Sequence, residues 1–240
     1  MEEKFLSVII PAFNEEKRIL PTLEDVYDYL KNKDFSWEVL IVDDGSIDRT
    51  KEVVRKFCEN HPNFILIENK ENKGKGGVVK QGMLKARGEW RLFMDADNST
   101  PISEIDNFYE YMKDYDIIIG SRYLKEGLIK KKQPLIRRII SRGGNLLAQL
   151  LILPGIKDTQ CGFKLFSKKA AEIIFPKQRF YRWSFDIEIL AIAKKYGFKI
   201  KEVGVEWRDS PFSKLKAARA ALRTLKDLLI IKFNLIRGKY

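Results

Sequence analysis

Five short apolar runs, LSVIIPAFN, EVLIVDDGS, FILIEN, RLFMDAD and DIIIGSR, punctuate the first 122 residues, and each stops on polar residues. Their apolar character is nearly continuous rather than alternating, which suits strands whose sheet is covered on both faces. Helical patterns fill the gaps over residues 17–30, 48–58, 76–86 and 103–112, several of them opened by Asp, Ser or Pro. Strand and helix alternating at this spacing predict an α/β domain with a mostly parallel sheet flanked by helices. After Arg122 the alternation lapses into a basic, apolar stretch and then resumes. CGFKLFSK and KIKEVGVEW read as strands, residues 168–174 and 184–196 as helices, and a long final helix begins near Ser213. The reading is one catalytic unit over residues 1–212, which includes a basic amphipathic segment at 127–157, followed by a C-terminal amphipathic helix at 213–240.

In open sheets of this kind, ligands bind beyond the carboxyl ends of the strands. That rule gathers five polar clusters on one edge: residues 11–15, 43–46, 69–77, 95–99, and Ser121 with Arg122. Any one of them could be a turn or a helix cap; five together predict a site. Asp95 and Asp97 lie two apart, so an extended chain points both carboxylates the same way. Held that close they repel and raise one another's pKa unless a cation sits between them. Hard oxygen ligands with room left for water and phosphate suit Mg²⁺ or Mn²⁺. NKGKGG, at residues 72–77, lacks the GxxxxGK[ST] spacing of a nucleotide triphosphatase loop. Its glycines instead let backbone approach a ligand beside a helix N-terminus.

The net charge of +12 is not spread evenly. Residues 127–157 and 213–240 together carry +14, so the remainder is slightly acidic at −2. A nucleic-acid coat would distribute its basicity over one domain face, so no nucleic-acid partner is expected. Both basic segments are also apolar. In the last one, Leu215, Leu222, Leu225, Leu229 and Ile236 fall on one helical face, with Arg219, Arg223, Lys226 and Arg237 adjoining. Helices of that composition lie in an anionic membrane interface. Gly143 and Gly144 are expected to break or bend the first segment. No run approaches the roughly 20 apolar residues of a membrane span. Cys58 and Cys161 lack metal or disulfide spacing, and the acidic N-terminus lacks the pattern of a signal peptide. The expectation is a peripheral protein on the cytoplasmic face of a membrane, attached by its interfacial segments.

VIIPAFNE, VDDGSIDRT, NKGKGG, MDAD and GSRY occur in the order and spacing of the family 2 inverting glycosyltransferases, which this chain resembles. Downstream, the RxxxS of Arg137 and Ser141, DTQCGFKLF, RWSFDIEIL and VEWRDSPFSKL look like the polyprenyl-phosphate sugar synthases. DTQCGFKLF and RWSFDIEIL resemble the dolichyl-phosphate glucosyltransferases more than the mannosyltransferases. The resemblance implies a GT-A (Rossmann-like) fold. It implies a nucleotide-sugar pocket at Pro11, Phe13, Glu15, Val42 and Asp44, joined by Lys75, with Asp95, Ala96 and Asp97 holding ribose and metal. Ser99 takes the third metal position, where the mannosyl enzymes often carry Gln. Arg122, Arg137, Arg208 and Lys214 would surround the phosphates of donor and lipid acceptor. Asp97, Arg122, Arg137, Ser141 and Asp158 form the implied catalytic set, with Asp158 orienting acceptor or sugar hydroxyls or else serving as a turn residue.

The implied reaction moves a hexose, with inversion, onto a polyprenyl or dolichyl phosphate. UDP-glucose is the leading donor; GDP-mannose, or a family 2 reaction with a hydroxyl acceptor, is the alternative. A phosphate acceptor is already ionised and needs no strong base, so Asp158, Asp186 and Glu188 need not act as one.

Overall fold

A computed structural model describes residues 3–124, 135–208 and 217–240; the side chains of 135–141 and 217–224 lie outside that description. Seven strands, β1 (Lys4–Ala12), β2 (Trp37–Asp43), β3 (Phe64–Glu68), β4 (Gly88–Met94), β5 (Ile117–Ser121), β6 (Phe163–Ser167) and β7 (Ile200–Gly204), form one sheet. Its order is β3-β2-β1-β4-β6-β5-β7. All neighbours are parallel except β6, which runs antiparallel to both β4 and β5. That reversal has a consequence for the site. Met94, the last residue of β4, pairs with Phe163, the first of β6. The chain entering β6 therefore arrives at the same edge where its neighbours end.

Helices α1 (Ile19–Leu30) and α2 (Thr50–Glu59) cover one face, while α3 (Lys75–Lys85), α4 (Leu135–Leu151), α5 (Lys168–Lys177), α6 (Phe185–Lys195) and α7 (Ala217–Ile236) cover the other. All seven residues of β2 are buried, as a strand covered twice must be. Alternation splits the strands between two cores: Ile9, Val42 and Phe93 face α3 and α6, while Val8, Ile41 and Leu92 face α1 and α2.

The structure departs from the sequence reading in three places. The expected helix at 103–112 is two 3₁₀ turns, Ile102–Asn107 and Tyr109–Tyr111. Ile102, Ile105 and Phe108, three apart, are the buried residues, which matches three residues per turn. Gly143 and Gly144 do not break α4, which runs through both. A glycine costs a helix interior only about 1 kcal/mol, less than packing of α4 against α7 supplies. Finally, α7 is no appendage, because Leu228 and Ile231 are buried in the common core. Leu225, Leu229 and Ile236, the face expected to meet a membrane interface, turn outward, with Ile236 75% exposed. On α4, Leu146, Leu147 and Leu150 are likewise exposed. Among the described residues no helix is long and apolar enough to cross a membrane.

Candidate active site

The carboxyl edge of the sheet opens into a cleft of about 360 Å³ whose wall includes Pro11, Phe13, Glu15, Asp44, Lys75, Asp95, Ala96 and Asp97. Each loop there is stitched to the next. Asn14 takes a positive φ, its amide donates to Ser46 Oγ at 2.9 Å, and Ile47 N donates to Asn14 Oδ1 at 3.0 Å. Glu15 N donates to Thr50 Oγ1 at 2.7 Å. Asp43 is buried and receives the amides of Gly45 and Ser46. Asp44, expected to meet a nucleobase, receives the amides of Lys73 and Gly74 at 2.6 and 3.0 Å. It therefore pins NKGKGG beside the cleft, and burial raises its carboxyl above the usual range against those two bonds. Val42, expected in the same pocket, is instead in the core under α3. The pleat points it to the face opposite its neighbour Asp43.

Asp95 and Asp97 do converge on the cleft, and each already has a cation. Lys75 Nζ lies 2.5 Å from Asp95 Oδ1, and Arg18 Nη1 lies 3.5 Å from Asp97 Oδ2. Burial opposes the charge on Lys75, but Asp95, Asp186 and Asp97 outweigh it and hold the ammonium above the ordinary lysine range. Arg18 is clamped in turn by Glu15, with two bonds of 2.6 Å. Among the described residues no group of three or more His, Cys, Asp or Glu side chains could hold a metal alone. The donor set is thus two half-exposed carboxylates and open space. It fits Mg²⁺ or Mn²⁺ completed by phosphate and water, and would not make a closed protein cage. Ser99 is not arranged as a third ligand: it is buried, and its hydroxyl and amide both donate to Asp97 Oδ1, at 2.6 and 3.1 Å. It orients the Asp97 carboxylate.

Because β6 is antiparallel, residues 158–162 complete this edge. Asp158 is fully buried, and both its oxygens are taken by Arg122: Nε at 2.7 Å and Nη2 at 2.8 Å, with the Arg122 amide at 3.0 Å. Burial would raise this carboxyl, but the Arg122 charge and hydrogen bonds prevail and hold it below the usual range. Asp158 is therefore a holder of Arg122, not a base facing substrate. Arg122 stands 5.6 and 5.7 Å from the ring centroids of Trp207 and Tyr123, and Arg142 stands 5.7 Å from the Tyr123 centroid. Arg208 pairs with Glu206, and its amide donates to Ser99 O at 2.8 Å. Asp186 pairs with buried Lys164, and Glu188 receives the amides of Arg179 and Phe180. All three acids are occupied internally. Arg137 and Ser141 sit on α4, but their side chains lie outside the described residues, as does Lys214 altogether.

Four site residues escaped the sequence reading: Arg18, Gly162, Arg182 and Trp183. Arg182 and Trp183 form a wall of the cleft, and Lys75 Nζ is 5.3 Å from the Trp183 ring. A Cβ on Gly162 would collide with the Asp95 carboxylate, so only glycine leaves Asp95 where it is. The sequence did carry signals for them: the Glu15–Arg18 spacing of three at a helix start, and the DTQCGFKLF and RWSFDIEIL motifs, which contain Gly162, Arg182 and Trp183. Cys58 and Cys161 are free thiols, and burial pushes Cys161 up to about 12.

A mostly parallel sheet with two cation-seeking carboxylates at its carboxyl edge, under a glycine-rich turn, defines a nucleotide-sugar transferase of the GT-A type. The chain belongs to glycosyl transferase family 2, whose model matches residues 7–175. It is 39% identical to a dolichyl-phosphate beta-glucosyltransferase of Dictyostelium discoideum, across 98% of this chain and 76% of that one. The enzymes of that name from Saccharomyces cerevisiae and Homo sapiens are 37% and 34% identical, covering 100% and 99% of this chain and 77% and 78% of theirs. The fold is shared with glucosyl-3-phosphoglycerate synthase of Mycobacterium tuberculosis in complex with UDP (TM-score 0.66, 15% identity, 95% of this chain and 80% of that one). It is also shared with a mannosyltransferase of Pyrobaculum calidifontis in complex with GDP-Man and Mn²⁺ (TM-score 0.61, 19% identity, 99% and 65%).

Proposed function

We propose that this protein transfers glucose from UDP-glucose, with inversion, onto dolichyl phosphate or a closely related polyprenyl phosphate. The observation that carries this reading is 39% identity to a dolichyl-phosphate beta-glucosyltransferase over nearly the whole chain, donor edge and downstream motifs included. In this reading the uridine lies between Phe13 and the loop pinned by Asp44, and the diphosphate reaches Asp95 and Asp97. Those carboxylates would hold a divalent cation, which when bound would supply charge neutralisation to the departing diphosphate. Lys75 and Arg18 are placed to keep the two carboxylates from repelling one another before the donor arrives. Arg122, fixed by Asp158, and Arg208 offer positive charge on the acceptor side, where Arg137 and Lys214 are proposed to join them.

A phosphate oxygen of the acceptor attacks C1 of the glucose as the bond from C1 to the donor β-phosphate oxygen breaks, and UDP leaves. The nucleophile is ionised at neutral pH, so no base is required. That agrees with Asp158, Asp186 and Glu188 each being occupied. Rate enhancement rests on alignment and charge compensation. The outward leucines of α4 and α7, with basic residues beside them, suit peripheral contact with an anionic leaflet such as the cytoplasmic one.

A donor screen tests the reading. Purified protein with dolichyl phosphate in vesicles should form labelled glycolipid from UDP-glucose and not from GDP-mannose, and EDTA should abolish it. Equal use of GDP-mannose, or full activity in EDTA, would refute it.

A further inference from the structure

Between residues 213 and 240 the chain carries eight Lys or Arg and a single acid, Asp227. Nothing in a membrane-facing basic helix calls for that carboxylate, and its position says what it does. Asp227 lies on the inward side of α7, and its Oδ2 accepts from Ser184 Oγ at 2.5 Å. Ser184 is the residue at the N-cap of α6. A serine there ordinarily accepts from an amide of the first turn. This one makes no capping bond, although it is buried. Its hydroxyl reaches across to another helix instead.

Ser184 closes the 178–184 loop, and the two residues before it, Arg182 and Trp183, form a wall of the donor cleft. The loop's other end is pinned to α3, since Gln178 Nε2 donates to Gly76 O at 2.9 Å. Its middle is tied to the C-terminus, since Arg179 Nη2 donates to Lys239 O at 3.0 Å. A continuous series of contacts thus runs from α7 through Ser184 to Trp183, then to Lys75, then to Asp95. On the far side of the same helix, Leu229 and Phe233 face outward.

We propose that Asp227 is a positioning residue for the donor cleft: through Ser184 it holds the 178–184 loop so that Arg182 and Trp183 stand against the bound nucleotide. Seating of the helix that faces outward is thereby coupled to donor affinity. This deepens the functional reading and rests on the cleft binding a nucleotide diphosphate.

The test uses the full chain, UDP and Mn²⁺, with isothermal titration for UDP affinity, KM values for UDP-glucose and dolichyl phosphate, and thermal melts. Asp227→Ala and Ser184→Ala should each weaken UDP binding and raise the UDP-glucose KM about tenfold, the worth of one hydrogen bond to a charged group. The KM for dolichyl phosphate should stay where it was. The double variant should be no worse than either single, and Asp227→Asn, which keeps an acceptor oxygen, should recover most of the loss. If Asp227→Ala fails to fold, Ser184→Ala, a change of one atom, carries the same expectation. Wild-type UDP affinity in a folded Asp227→Ala or Ser184→Ala protein overturns the proposal alone, as does a double variant whose loss is the product of the singles. Absence of UDP binding by the wild-type protein overturns the cleft reading together with it.

Discussion

The donor edge and the α4–α7 side of the molecule handle polar groups in opposite ways. At the donor edge, Asn14, Asp43, Asp44, Asp97 and Asp158 all have assigned partners within the protein, and Lys75 and Arg18 are paired before any ligand arrives. The α4–α7 side leaves Leu146, Leu150, Leu229 and Ile236 turned outward. A small, highly charged ligand needs a frame that does not reorganise when charge develops. An extended apolar partner needs area, and the leucines supply it without specific geometry. The first arrangement suits the charged donor, and the second suits the membrane contact proposed above.

Substitutions can pull that contrast apart. The largest effect belongs to Asp95→Ala with Asp97→Ala, which should lower transfer by about a thousandfold or more while circular dichroism stays native. Next comes Arg122→Ala, which strands a fully buried carboxylate and should cost about 3–5 kcal/mol in denaturant unfolding. Because the Asp158 pKa is lowered in the folded state, the pair's stabilisation is fully present above the ordinary aspartate range and is lost as pH falls through the lowered pKa. Wild-type protein should therefore lose stability on acidification, and Arg122→Ala should lose less over the same interval. Gly162→Ala should shift Asp95 and weaken Mn²⁺-dependent UDP binding about tenfold to a hundredfold, since misplacement of about 1 Å at a reacting centre costs that much. Smallest, Leu150→Glu on α4 should reduce sedimentation with anionic liposomes about tenfold, given about 1.5 kcal/mol for a leucine side chain removed from water. UDP affinity should be unchanged by it; a matching loss there would erase the division between the halves.

The same contrast decides what could be read from sequence. The strands were legible because burial on both faces leaves continuous apolar runs; Asp95 and Asp97 do meet at the cleft, but through a turn at residues 96 and 97 after β4 ends at Met94, not through an extended chain. The second apolar face of α7 was not legible: Leu228 and Ile231 face in, while Leu225 and Leu229, the side expected to meet a membrane, face out. Gly162, Arg182 and Trp183 reach the site only through the antiparallel course of β6 and the loop before α6, a matter of sheet order rather than of local pattern. Asp158 lies at the edge, and its pairing with Arg122, 36 residues away, could not be read from local pattern.

In the proposed reaction the nucleophile is a lipid phosphate that needs no base. Vesicles containing either dolichyl phosphate or dolichol, given labelled UDP-glucose and Mn²⁺, test it directly. Labelled glycolipid should form from dolichyl phosphate and not from dolichol. Glucosylation of dolichol at a comparable rate would contradict the claim, because a hydroxyl requires a base, and Asp158, Asp186 and Glu188 are buried and engaged with Arg122, Lys164 and the Arg179 and Phe180 amides.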